Sequence, residues 1–139
     1  MTWCRVGRRA FLGASLAAPA FGQEPPLLGL VGGSLVQFAA HPAVGTLLRN
    51  SARGWQQHVY EGLRLPGPPV ALVEQTWLVG WGRRDDSGLF LGFEIRAEQM
   101  VLFLLNGGAP VYLSPRSRHW APALGAPFAD FTAGIGRGG

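Results

Sequence analysis

The chain has 139 residues, and its twelve basic side chains are all arginines, set against eight acids for a formal charge of +4. Arg5, Arg8 and Arg9 stand at the N-terminus, so the rest of the chain carries nine arginines against eight acids, a balance that gives no support to nucleic-acid or membrane-surface binding through bulk charge. The single cysteine, Cys4, excludes a disulfide framework, and the fold must be held by its apolar core.

Behind the first arginines runs a mostly apolar stretch from Ala10 to Phe21, followed by small residues ahead of Gln23. A charged start, a short apolar middle and a small-residue end are the layout of an export signal. The run is well below the roughly 20 apolar residues that a bilayer span needs, so no transmembrane anchor is expected from it. Arg8-Arg9 followed by Ala10, Phe11 and Leu12 resembles the twin-arginine signal of bacterial export, and the general secretory route is the alternative. The resemblance covers only the leader and implies the export machinery as a partner. Cleavage is expected after Ala20 or, preferably, Gly22, which leaves 117 residues (139 less 22) in the periplasm or outside the cell.

The mature chain reads as one small α+β domain over 23–133, with a Gly-rich tail at 134–139 expected to be disordered. Two apolar runs around Gly32-Gly33, within 27–38, predict an N-terminal β-hairpin, because tight hairpin turns require positive φ. Pro42 opens a helical pattern in which Val44, Leu47, Leu48, Trp55, Val59 and Leu63 share one face up to about residue 64. Asn50-Ser51 is a point at which that helix could break. Pro66-Gly67-Pro68-Pro69 ends it.

Four runs then follow: 70–81, 89–96, 100–105 and 110–114. Their short links predict an antiparallel four-stranded meander, since a parallel return needs a dozen or more residues. Residues 100–105 are apolar at every position, so both faces of the sheet should be covered, one by the helix and the other by the tail with Trp120, Phe128 and Phe131. That tail reads as irregular structure pinned by aromatics. A small sandwich or partial barrel is the alternative architecture.

Trp77 and Trp81 share a strand face, and their environment depends on the next turn. A three-residue loop, Asp86-Ser87-Gly88, pairs Trp81 with Phe93 and puts both indoles in the core beside Leu89 and Leu91. A two- or four-residue loop instead puts them beside Glu94 and Arg96 as a ligand-binding pair. The densest cationic segment, Arg116, Arg118 and His119 next to Trp120, offers donors and an aromatic face for a phosphate or carboxylate. His58 and Glu61, three apart on the helix, are weak metal candidates that lack a third ligand. No nucleophile elbow, metal motif or phosphate loop is present, and no cofactor is expected. The composition points to a non-catalytic periplasmic module for an envelope protein, peptide or glycan. A small hydrolase or cofactor-dependent enzyme is the alternative, and a subunit of an envelope assembly a third.

Overall fold

In a computed structural model the chain is described over residues 26–115 and 120–133. The leader with Arg8, Arg9, Phe11 and Leu12, the segment holding Arg116, Arg118 and His119, and the Gly-rich end lie outside the described residues. Within them the architecture is α+β, with four α-helices and a five-stranded antiparallel sheet.

The N-terminal hairpin does not form. Leu27–Leu30 make a 3-10 turn, Gly32 takes a left-handed φ of +86°, and α1 (Leu35–Ala40) begins directly after Ser34. The sequence Ser34-Leu35-Val36-Gln37 is a reciprocal cap: Gln37 N donates to Ser34 Oγ at 3.1 Å, and Ser34 N donates to Gln37 Oε1 at 2.9 Å. Two otherwise orphaned donors are satisfied, and that local gain outweighs the hairpin tendency of the glycine pair. The glycines do pair with extended chain, but further along: Gly32 N donates to Val70 O and Val70 N to Gly33 O.

The long helical pattern splits into α2 (Pro42–Ser51) and α3 (Gln56–Gly62). Pro42 occupies the first turn of α2, where its missing N–H costs nothing, and His41 Nδ1 accepts from Ala43 N to cap it. The break falls slightly after Asn50-Ser51, at Gly54, whose φ of +77° turns the chain out of the helix. The expected apolar face is preserved across the break: Val44, Leu48, Val59 and Leu63 are buried, and Leu47 and Trp55 pack against them.

Strands β1 (Ala71–Val73), β2 (Trp77–Arg84), β3 (Ser87–Glu94), β4 (Gln99–Asn106) and β5 (Ala109–Ser114) form a meander in sequence order. There are five strands because the run 70–81 is interrupted at Glu74 and Gln75, both left-handed at φ +52° and +59°. A type I′ turn requires positive φ at both central residues, and here it is made without glycine or asparagine. Between β2 and β3 the loop has two residues, Asp85-Asp86, rather than three. Its register places Trp81 opposite Phe90, and Trp77 opposite Glu94. The sheet is single and open among the described residues, neither sandwich nor barrel.

Both sheet faces are covered. Leu78, Leu89, Leu91, Phe93, Met100, Leu102 and Leu104 meet α1–α3, with Phe38, Leu48 and Val59 fully enclosed. On the other face Trp77, Val79, Phe90, Val101, Phe103 and Leu105 meet the C-terminal tail. The tail is more regular than expected: a 3-10 turn at Pro122–Leu124 leads into α4 (Gly125–Thr132). Its prolines misled the sequence reading because Pro122 and Pro127 both sit in first turns, where a backbone donor has no intrahelical partner to lose. Phe131 is fully buried between Trp81, Phe90, Phe103 and Phe128, and Arg83 Nη1 donates to its carbonyl at 3.1 Å.

Candidate functional site

The two-residue β2–β3 loop decides where the tryptophans go. It turns them to the face of Phe90 and Phe103, opposite the face that Leu89, Leu91 and Phe93 present to the helices. They are packed, as the core reading expected, but under the tail rather than under the helices and not against Phe93. Gly88 and Gly92 of β3 share their face and leave space for large rings. Trp77 is buried, whereas Trp81 is half-buried and edge-on to Phe131 at 5.6 Å.

One end of the sheet stays open. Strand β3 stops at Glu94 and β4 starts at Gln99, and Glu98, left-handed at φ +52°, closes the link between them. Glu98 therefore lies on a turn and not on a strand. The helical layer brings Leu47 and Ser51 of α2 to this end, and the tail brings Trp120 and Ala121. With Trp77, Glu94, Glu98, Met100 and Ser114 they line a cleft of about 610 Å³. That lies within the range of small-molecule sites, about 300–1,000 Å³.

The cleft combines apolar walls with a few polar atoms. Trp120 stacks on Phe90 with ring centroids 5.6 Å apart and 16° between planes, and meets Phe128 edge-on at 4.7 Å. Its indole Nε1–H is buried and has no acceptor among the described residues. A buried donor left without a partner costs about 1–3 kcal/mol, so an acceptor that reached it would be favoured. Ser114 Oγ donates to Met100 O at 3.1 Å, which fixes the hydroxyl with its lone pairs available to a donor.

Of the sequence-predicted ligand residues, the cleft unites Trp77 and Trp120, while Trp81 lines a separate recess with Gly33, Arg64 and Pro68. Arg116, Arg118 and His119 lie outside the described residues, between two positions, Pro115 and Trp120, that both line the cleft. Glu94, Glu98 and Ser114 are the residues that sequence reasoning did not assign to a site. The pairing of Trp77 with Glu94 under a two-residue loop was the signal that could have found them.

His58 and Glu61 line a smaller pocket of about 180 Å³ with Ser87 and Asn106. Glu61 Oε2 accepts from Gln57 Nε2 at 3.3 Å, and His58 stands edge-on to Trp55 at 5.2 Å. Nucleophilic catalysis needs a hydrogen-bonded relay from serine through histidine to carboxylate. No such bond links these three side chains among the described residues. No group of three metal-ligating side chains occurs among them either. Nor is any described helix long and apolar enough to cross a membrane.

Compared with known proteins, the chain matches no family model, no curated protein and no solved structure.

Proposed function

We propose that the chain is an exported, non-catalytic binding module of the bacterial envelope, whose ligand occupies the cleft between Trp77, Trp120, Glu94 and Glu98. The observation that carries this reading is the cleft itself: a cavity of about 610 Å³ lined by Trp77, Trp120, Glu94 and Glu98, with a buried Trp120 N–H that has no acceptor among the described residues. Apolar walls with a small number of placed polar groups are the composition of a binding pocket. Export rests on Arg8-Arg9, the apolar run to Phe21 and the small residues before Gln23.

The test is an NMR titration of the mature chain from Gln23 onward, with short peptides and neutral glycan fragments as probes. Saturable movement of the Trp77 and Trp120 indole resonances is expected. Movement confined to residues around His58 and Ser87 would instead favour the runner-up, a small hydrolase, which rests on His58, Glu61, Ser87 and Asn106 lining one pocket.

A further inference from the structure

We infer that Asn106-Gly107 is a self-modification site, at which the Asn106 carboxamide is converted through a cyclic imide to aspartate and isoaspartate. The chemistry is intramolecular. The amide nitrogen of the following residue attacks the asparagine Cγ; a C–N bond forms, the bond from Cγ to the side-chain nitrogen breaks, and ammonia leaves. Water then opens the imide ring. At the Cγ carbonyl it yields aspartate, and at the main-chain carbonyl it yields isoaspartate, whose backbone runs through Cβ and Cγ. Water is the only co-reactant.

The chain has two asparagines, Asn50 and Asn106, and both are exposed, so access of solvent does not distinguish them. The attacking nitrogen does. Asn106 ends β4, and its carboxamide has no hydrogen-bond partner among the described residues. Gly107 turns at a φ of +58° and has no Cβ to screen its nitrogen from the neighbouring side chain. The Gly107 N–H has no acceptor among the described residues, whereas the next one, Gly108 N, donates to Asp86 O at 2.8 Å. Asn50 lies within α2, and the nitrogen that follows it, on Ser51, is the last of that helix and bears a side chain. A helical N–H is held by the carbonyl four residues back, and the turn must open before it can attack. The product changes one end of the sheet. Asn106 lines the pocket of about 180 Å³ with His58 and Glu61, so a second carboxylate enters that lining. Isoaspartate also lengthens the backbone at the residue paired with Ala109, and β5 joins the sheet only through β4. The hairpin then loses its closing pair.

The experiment incubates the folded chain from Gln23 onward in neutral and in mildly alkaline buffer, and follows it by peptide-mapping mass spectrometry. The peptide that carries Asn106 should gain about 1 Da, as the carboxamide becomes a carboxylate, and should resolve into aspartate and isoaspartate forms. Conversion at Asn106 should outpace that at Asn50 by about tenfold or more, because the helix must first open at Ser51. It should quicken in the alkaline buffer, since the deprotonated amide is the attacking form. Asn106→Gln should abolish the gain at this peptide and, at an exposed position, leave the thermal midpoint in place. The same chain unfolded in urea is the reference. Conversion of Asn106 there but not in the folded chain would show that the turn withholds its nitrogen, and would overturn the inference. Equal rates at Asn50 and Asn106 in the folded chain would overturn it as well.

Discussion

Replacing Phe131 by alanine tests whether α4 holds the second face of the sheet, and with it the tail that supplies Trp120 to the cleft. Phe131 is fully buried, its ring lies 5.6–5.9 Å from four aromatic neighbours, and Arg83 anchors its carbonyl. Removing a buried phenylalanine costs about 3–5 kcal/mol, because transfer energy is lost and the surrounding rings cannot all collapse into the gap. Unfolding entropy of ~2.1 cal/mol/K per residue gives ~0.25 kcal/mol/K for the chain from Gln23 onward, so Tm should fall by ~12–20 °C. Thermal denaturation followed by circular dichroism measures it, with Asp130→Ala as the control. Asp130 is exposed on the same helix, and its loss should change stability by no more than ~0.5 kcal/mol. A fall below ~4 °C for Phe131→Ala, equivalent to ~1 kcal/mol, would mean that α4 does not seal this face, and the wall of the cleft would lose its support.

Gly62→Ala should destabilise by about 1–3 kcal/mol in a urea titration, because the added Cβ would lie 2.7 Å from Leu89 Cβ, a position fixed by the sheet backbone. Replacing Glu74-Gln75 with Asn-Gly should stabilise by about 1 kcal/mol, since both residues are held in left-handed geometry that the new pair adopts without strain; a lower urea midpoint would refute the type I′ turn. Substituting Arg8 and Arg9 together by lysine should leave an uncleaved precursor in the host cell, measured by intact mass. Normal processing to Gln23 or Phe21 in that variant would assign the leader to the general secretory route.

Much of the layering was legible in the sequence. Residues 100–105 are apolar throughout, which requires cover on both sheet faces, and the helical stripe from Val44 to Leu63 and the aromatics of the tail supply it. The errors came from turns. Glycine pairs read as hairpins, yet Ser34 and Gln37 cap a helix just behind Gly32-Gly33. Conversely, Glu74-Gln75 makes a tight turn with residues that carry no turn signal. At Gly32-Gly33 the deciding signal was local, the Ser34-x-x-Gln37 cap directly behind the glycines, and it outweighs the pair; at Glu74-Gln75 the local residues alone favour an uninterrupted strand.

The cleft was hidden for a related reason. Its lining comes from α2, β2, the end of β3, the β3–β4 turn, the start of β4, the end of β5 and the start of the tail, and no two of its polar side chains except Glu94, Glu98 and Gln99 are near one another in the sequence. What brings them together is a single register choice. With a three-residue β2–β3 loop, Trp77 would have faced the helical core and Glu94 would have stood on the other side. With Asp85-Asp86 as the whole loop, Trp77 and Glu94 become direct cross-strand neighbours at the end of the sheet to which α2 brings Leu47 and Ser51 and the tail brings Trp120 and Ala121. A one-residue change in loop length therefore moves an aromatic side chain between a closed core and the rim of a cleft, because side chains alternate faces along a strand. Inserting a glycine between Asp86 and Ser87 would put the two pairings in direct competition.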